Sequence, residues 1–316
     1  MSAPARWPFC DLRAGFLAQR EELLAAAARV LDSGHYVLGA EVEAFEREFA
    51  QWLGGTHVVG VANATDALEL ALRAFDVGPG DEVVIPSLTA APTAMAVLAT
   101  GAMPVLADID AAWFTLDPTS LRACLSMRTA AIIPVHLYGQ CADMDAIRHV
   151  AETAGVPILE DCAQSHGATF HGQRAGSFGA AAAFSFYPTK NLGAFGDGGA
   201  LATPDRHLAE RLARLRFYGG IAGYDFTEPG RNSRLDELQA ALLRVRLGAV
   251  AAGNERRRLH ARRYREGLRD APVELPAERG GSEHVYHQFV VRTPARDRLR
   301  DHLAARGIET QIYYPE

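Results

Sequence analysis

From about residue 56 the chain alternates short apolar runs with amphipathic stretches, and each run predicts an element. "HVVGVAN" (57–63) reads as a strand. "TDALELALRAF" (65–75) places Leu68, Leu72 and Phe75 on one stripe at spacings of four and three, which predicts a helix. "GPGDEVVIP" (78–86) is a turn and a buried strand, "TAAPTAMAVLATG" (89–101) a helix interrupted near its start by Pro92, and "MPVLADI" (103–109) a further strand. "TAAIIPVHLYG" (129–139) is an apolar strand running into a loop, and Asp143 then caps a helix carrying Met144, Ile147 and Val150. "VPILEDCAQ" (156–164) is the next strand. This rhythm predicts an α/β fold, with a mostly parallel sheet covered by helices on both faces.

After residue 175 the rhythm changes. "GAAAAFSFYP" (179–188) and "GGALAT" (198–203) predict two short strands with a loop and no helix between them. A helix over 204–216 follows, then a long helical region from about Leu235 to Leu268, opened by a Ser233-x-x-Asp236 capping signature. "VYHQFVVRT" (285–293) and a helix over 296–307 predict the start of a smaller α+β unit. The expected division is a large domain over 1–245, with an N-terminal arm, and a small C-terminal domain over 246–316.

Bulk properties narrow the class. The chain has 316 residues, 48% of them hydrophobic, enough for one large domain or two unequal ones. A net charge of −6 argues against nucleic acid or an anionic membrane as partner. The arginine-rich "NERRRLHARRYRE" (254–266) reads as a solvated face or an interface rather than a nucleic-acid site. The start "MSAPARWPFCDLRAG" has no apolar signal region, and no run reaches the ~18 apolar residues that span a bilayer. Cys10, Cys124, Cys141 and Cys162 show no CxxC spacing and no zinc pattern with histidine, as expected of reduced thiols in a cytoplasmic protein without a metal site.

The unusual chemistry sits where predicted strands end, which is where open α/β sheets place ligands. In "SFYPTKNLGAFGDGG" (185–199), Lys190 stands among aromatic and small residues; an amine desolvated in this way has a lowered pKa and can condense with an aldehyde. The glycines do not make a dinucleotide fingerprint, because strand and helix do not flank them correctly. Asp161 closes the strand "VPILED", where a carboxylate is costly without a cationic partner. The protonated ring nitrogen of pyridoxal phosphate is such a partner. Thr65 opens a helix after a strand and offers a hydroxyl and backbone N–H groups to a phosphate, and Ser185 can add a second hydroxyl. Each residue alone also has a plain reading: a surface lysine on a glycine loop, a turn-capping aspartate, an ordinary N-cap.

Together, "EDCAQSHGA" (160–168), "FSFYPTKNLGAFGDGG" (184–199) and "GRNSRLDELQAA" (230–241) resemble the DegT/DnrJ/EryC1/StrS family of pyridoxal-phosphate-dependent sugar aminotransferases. "SGHYVLGAEVEAFEREFA" (33–50), "NATDALELAL" (63–72), "PGDEVVIPSLTA" (79–90) and "VHLYGQCADMDAI" (135–147) extend the resemblance over nearly the whole chain. It implies the three-layer α/β/α fold of aspartate aminotransferase (fold type I). Lys190 would hold the cofactor as a Schiff base and carry the proton between the cofactor's C4′ and the substrate carbon. Asp161 would pair with the pyridine nitrogen, and Gln164 would lie near the phenolic oxygen. Ala64, Thr65 and Ser185 would hold the phosphate, with Asn232 reaching it from the partner subunit of a homodimer.

The sequence departs from the family pattern at three points. Ala64 stands where the phosphate loop usually has glycine, and Ala90 stands where an aromatic often stacks on the ring. The chain ends at "TQIYYPE", inside a motif that the family normally continues, so it reads as truncated with an incomplete small domain.

The resemblance implies transfer of an amino group from an amino acid, L-glutamate by analogy, to a nucleotide-linked keto-sugar. The form around Lys190 favours a 3-keto-deoxysugar over amination at C4. Lys190 also argues against the dehydratases of this fold, which carry histidine there. Tyr36, His166, Tyr187, Tyr218, Tyr313 and Tyr314 are candidate substrate contacts. A pyridoxal-phosphate-binding regulator without turnover is the alternative from another class. A nicotinamide-dependent dehydrogenase would need a glycine fingerprint after the first strand, and "GVANATDAL" has none. A metal-dependent hydrolase using the eleven histidines is a third alternative, and no HxH pair in the sequence supports it.

Overall fold

The computed structural model describes residues 6–220 and 225–315. Seven strands form its centre: β1 (His57–Val61), β2 (Glu82–Pro86), β3 (Met103–Ala107), β4 (Thr129–Ile132), β5 (Leu159–Asp161), β6 (Ala181–Ser185) and β7 (Gly199–Thr203). The pairings β3–β2–β4 and β5–β6–β7–β1 are joined by the parallel bridges Ile132–Ile158 and Val135–Asp161, giving the order 3-2-4-5-6-7-1. All neighbours are parallel except β6–β7 and β7–β1. The exception follows from the missing helix: a parallel neighbour needs a crossover connection, and β6 and β7 are linked only by the lysine loop.

Side chains alternate along each strand, so the two faces can be assigned residue by residue. Val59, Val61, Val83, Ile85, Leu159, Ala181, Ala183 and Leu201 belong to one core. It is covered by the helices Ala64–Ala74, Ala91–Thr100 and Arg206–Leu215. Val58, Val84, Ile132, Ala182, Phe184, Phe186, Ala200 and Ala202 belong to the other. That face is covered by Ala40–Leu53, Pro118–Cys124, Met144–Ala154 and Glu237–Leu247. Along the central strands both faces are therefore dry, which explains the unbroken apolar runs and gives the expected three layers. Met103 and Leu106 of the edge strand β3 are exposed. On the second face Phe45, Phe49, Phe184 and Phe186 interlock edge to face, with ring centroids 5.1–5.5 Å apart.

Several local expectations change. Pro92 does not interrupt its helix but lies in the first turn of Ala91–Thr100, where a missing N–H costs nothing. The long helix expected over 235–268 is two, Glu237–Leu247 and Val250–Gly267, parted around Gly248. Its capping box does not form. The Ser233 hydroxyl accepts instead from the Ala62 N–H at 3.1 Å. Glu237, 3% exposed, accepts from the N–H groups of Gly39, Glu41 and Val42 at 2.8–2.9 Å, so it caps the helix Ala40–Leu53 from across the fold. Asp143 does cap Met144–Ala154, accepting from the Ala146 N–H.

The strand expected over 285–293 is also absent. Among the described residues its one ladder contact is the bridge Glu274–Arg292. The segment is held from the other side, by Val285 N–H to the Gly139 carbonyl at 2.9 Å and Gln288 N–H to the Tyr138 carbonyl at 3.2 Å. The arginine-rich stretch lies on the helix Val250–Gly267. Arg258 and Arg262 pair with Glu255, and Arg257 donates to the carbonyls of Tyr286 and His287. Among the described residues no helix is long and apolar enough to cross a membrane.

Candidate active site

The parity of the strands brings the singled-out residues to one side of the sheet. Leu159 faces the core under the helix Ala64–Ala74, so Asp161, two residues on in β5, faces the same way. In β6 Phe184 and Phe186 point to the opposite core, so Ser185 between them joins Asp161. Thr65 lies in the first turn of the helix that covers this face, capped by Asn63 Oδ1, which accepts from the Asp66 N–H at 2.8 Å. Ala64 and Thr65 thus offer N–H groups at a helix N-terminus on that side, beside the Ser185 hydroxyl's strand end.

The glycines behind the lysine have steric reasons. A Cβ on Gly199 would come within 2.5–2.9 Å of the Asn63 carbonyl group and the Ala64 nitrogen. A Cβ on Gly193 would sit 2.3 Å from the Pro188 carbonyl oxygen. The run lets β7 and the lysine loop close onto the helix N-terminus, and a side chain at either position would hold them off.

Asp161 is 5% exposed. Its Oδ2 accepts from the Thr93 hydroxyl at 2.9 Å and its Oδ1 from the Ala163 N–H at 3.1 Å. Burial raises its pKa, against the pull of these hydrogen bonds and of the Lys190 and His136 charges. Burial lowers the pKa of the Lys190 amine, and the charge of Asp161 is what pulls it back up. The lysine turn itself is closed by Lys190 N–H to the Tyr187 carbonyl at 2.8 Å. Of the chain's 32 Lys and Arg residues, Lys190 is the sole lysine. This is a sequence signal that the window around Lys190 does not reveal: every position that needs only a positive charge is filled by arginine.

Gln164 is buried between two tyrosines: Oε1 accepts from the Tyr138 N–H at 2.7 Å and Nε2 donates to the Tyr314 hydroxyl at 2.8 Å. The Tyr138 hydroxyl in turn donates to the Tyr313 carbonyl at 2.7 Å. Burial pushes the Tyr314 hydroxyl up to about 12. Tyr138 and Thr93 are additions to the sequence-based set, and the four-residue spacing of Thr89 and Thr93 is the signal that could have found the second. The other candidates are dispersed. Tyr36 and Tyr187 are exposed, Tyr218 packs on Phe217, Phe226 and Arg234, and Ala90 is the N-cap of Ala91–Thr100. His166 is fully buried against Phe184 and Phe186 and presents no surface to a substrate. Asn232 is exposed, its backbone bridged to Phe217.

His136, Glu160 and Cys162 cluster closely enough to suggest a metal site, but the donors of His136 and Glu160 are already committed. His136 Nδ1 accepts from the Ala142 N–H, so its Nε2 carries the proton and donates to Glu160 at 2.9 Å. Glu160 also accepts from the N–H groups of Gly176, Phe178 and Gly179. The cluster anchors the connection from β5 to β6.

The residues on the Asp161 side fit pyridoxal phosphate. A desolvated amine can meet its aldehyde, a buried carboxylate with unused lone pairs can meet its ring nitrogen, and a helix N-terminus with an adjacent hydroxyl can meet its phosphate. The chain is 51% identical, over 98% of its length and 82% of the relative's, to the dTDP-3-amino-3,4,6-trideoxy-alpha-D-glucose transaminase of Streptomyces venezuelae. It is 46% identical, over 98% of its length and 84% of the relative's, to the UDP-N-acetyl-3-dehydro-alpha-D-glucosamine 3-aminotransferase of Acidithiobacillus ferrooxidans. The structure of S. venezuelae DesV in complex with a ketimine intermediate superposes with a TM-score of 0.97 at 51% identity, covering 99% of this chain and 85% of that one. Residues 18–316 match the family described as DegT/DnrJ/EryC1/StrS aminotransferase, and the chain belongs to that family.

Proposed function

We propose that the protein is a pyridoxal-phosphate-dependent aminotransferase that moves an amino group from an α-amino acid, L-glutamate by analogy, to the 3-keto carbon of a nucleotide-linked deoxysugar. The observation that carries this reading is a sole lysine, desolvated by burial, on the loop after β6, on the same side of the sheet as the buried Asp161 carboxylate, the Ser185 hydroxyl and the helix N-terminus at Thr65. The 3-position is favoured by the likeness to two transaminases whose names place the amino group at C3.

Pyridoxal phosphate, when bound, supplies a ring that accepts the electron pair of a carbon losing its proton. The chain's own residues do the rest. Lys190 Nζ, with its pKa lowered by burial, is uncharged for more of the time at neutral pH than an exposed lysine and can take a proton from one carbon and return it to another. Asp161, held by Thr93 and Ala163, would meet the ring nitrogen with a negative charge and so favour its protonated form. Ala64, Thr65 and Ser185 would hold the phosphate, and Gln164, fixed by the Tyr138 N–H and the Tyr314 hydroxyl, would lie near the phenolic oxygen. In a homodimer the exposed Asn232 of one subunit completes the phosphate site of the other.

The test is a panel of dTDP- and UDP-linked 3-keto and 4-keto sugars with glutamate, read by product mass. Amination at C3 is expected. Amination only at C4 would overturn the regiochemistry, and an unchanged cofactor spectrum with glutamate would favour the regulator.

A further inference from the structure

Asn254 opens the arginine-rich run and differs from the residues that follow it. It is 4% exposed, whereas Glu255 and Arg256 next to it face solvent. Both ends of its amide are used. Nδ2 donates to the His166 carbonyl at 2.8 Å, and Oδ1 accepts from Asn191 Nδ2 at 2.8 Å. His166 lies on the segment that follows Asp161, and Asn191 is the residue after Lys190. One side chain from the helix Val250–Gly267 therefore ties the segment carrying the carboxylate to the loop carrying the amine.

The tie is held from both sides. Asn191 Nδ2 also donates to the Val285 carbonyl at 3.2 Å, and its Oδ1 lies 3.2 Å from His287 Nδ1. An amide oxygen only accepts, so that histidine nitrogen carries the proton. At the other end Gly167 takes φ +86°, and a Cβ there would come within 2.8 Å of Asn254 Nδ2. The backbone is shaped around this amide. A loop that contains Gly193, Gly196 and Gly198 needs such a constraint if its lysine is to keep one position.

We propose that Asn254, acting through Asn191, is a positioning residue of the amino-transfer reaction, fixing the Lys190 loop against the Asp161 segment. The proposal rests on the functional reading above, and its test separates the two. Because Lys190 is the sole lysine, an amine-selective acylating reagent applied to the apoprotein labels Lys190 and the α-amino group alone, and the two peptides are resolved by mass. The pH dependence of Lys190 labelling gives its pKa, which burial lowers and the Asp161 charge raises; His166 and His287, whose own pKa values the Lys190 charge helps to lower, also face it.

Asn254→Leu keeps the size and removes both hydrogen bonds. It is expected to raise the Lys190 pKa toward that of a free lysine by about half a unit or more. In the loaded enzyme kcat is expected to fall about tenfold or more, with KM for the donor within about threefold. Asn254→Asp, which keeps the acceptor toward Asn191, should lie between. Asn191→Ala breaks the tie from the loop side and serves if Asn254→Leu does not fold. Folded variants with wild-type Lys190 titration and kcat within about twofold, even with a lowered Tm, overturn the proposal. Wild-type protein that takes up no pyridoxal phosphate would instead remove the functional reading, and the apoprotein titration would still decide the tie.

Discussion

The Thr93 hydroxyl lies 2.9 Å from Asp161 Oδ2 and 2.9 Å from the Thr89 hydroxyl. An ionised carboxylate only accepts, so Thr93 gives its proton to Asp161 and receives one from Thr89. The helix after β2 thereby holds a carboxylate at the end of β5. Thr93→Val keeps the shape and removes the donor. Stability is expected to fall by about 1–3 kcal/mol, because a buried acceptor loses its partner. The Asp161 pKa rises further, and the acid limb of the activity profile moves to higher pH. Melting curves and a pH–rate profile check both; an unmoved acid limb would separate Thr93 from the function of Asp161.

Lys190→Ala removes the only side-chain amine. Borohydride reduction in the presence of pyridoxal phosphate should then leave no adduct on residues 185–199, and turnover should vanish. The fold should survive, since the amine is desolvated and its charge is a cost to the apoprotein. Circular dichroism and peptide mass read the two outcomes, and full activity in the variant would refute the assignment.

How far this could be read from the sequence depends on the range of the interaction. The strands and most helices were legible, because apolar periodicity is local and both faces of the sheet are buried. Asp161 and Ser185 could be placed at strand ends for the same reason, and period-two parity then set them on one side. Glu237 was not legible as the cap of Ala40–Leu53, because its partners lie some 196 residues away and a buried glutamate beside Asp236 looks like its own helix's start. Ser233 misled for the same reason. Its capping signature is intact in the sequence, but its hydroxyl serves Ala62. Asn254 hid at the head of a charged run whose average says solvent, although its own side chain is buried.

Gly199→Ala tests the close approach of β7 to the helix N-terminus. The added methyl would lie 2.5 Å from the Asn63 carbonyl carbon, backbone that cannot swing away like a side-chain end. The first turn of Ala64–Ala74 must shift, and with it the N–H groups of Ala64 and Thr65. Cofactor affinity is expected to drop about tenfold or more, with stability lowered by about 1–3 kcal/mol for the overpacking. Equilibrium titration with pyridoxal phosphate, and with inorganic phosphate as competitor, measures the first. An unchanged affinity would place the phosphate elsewhere.

His166 is expected to make the apoprotein acid-sensitive. It is fully buried, neither ring nitrogen has a hydrogen-bond partner among the described residues, and burial pushes its pKa down to about 3. In the unfolded chain it titrates near 6.5, so the unfolded state binds the extra proton as pH falls below that value. Stability should therefore be lost progressively from about pH 6.5 toward pH 3, at up to about 1.4 kcal/mol per unit for this group. His166→Phe should flatten that limb in urea-melt series taken across the window. A residual slope is expected, because His284 is pushed to about 3 and His287 is also lowered. An identical slope in the variant would show that His166 does not titrate as a buried neutral ring.

Asp161→Asn separates the cost of the carboxylate from its use. Burial raises the folded-state pKa of Asp161, so its favourable contribution is complete below the unfolded value near 3.9 and is lost as pH rises through the folded value. In the apoprotein the asparagine variant should then equal or exceed wild type in Tm at pH 8, and that advantage should shrink as pH falls toward 4. Adding pyridoxal phosphate should reverse the order, because wild type then has a cationic ring nitrogen opposite the charge and the variant does not. The variant should still bind some cofactor but lose about 100-fold or more in kcat, since nothing keeps the ring protonated. A variant that is less stable than wild type in both states, with wild-type rates, would mean that Asp161 is a structural cap and takes no part in amino transfer.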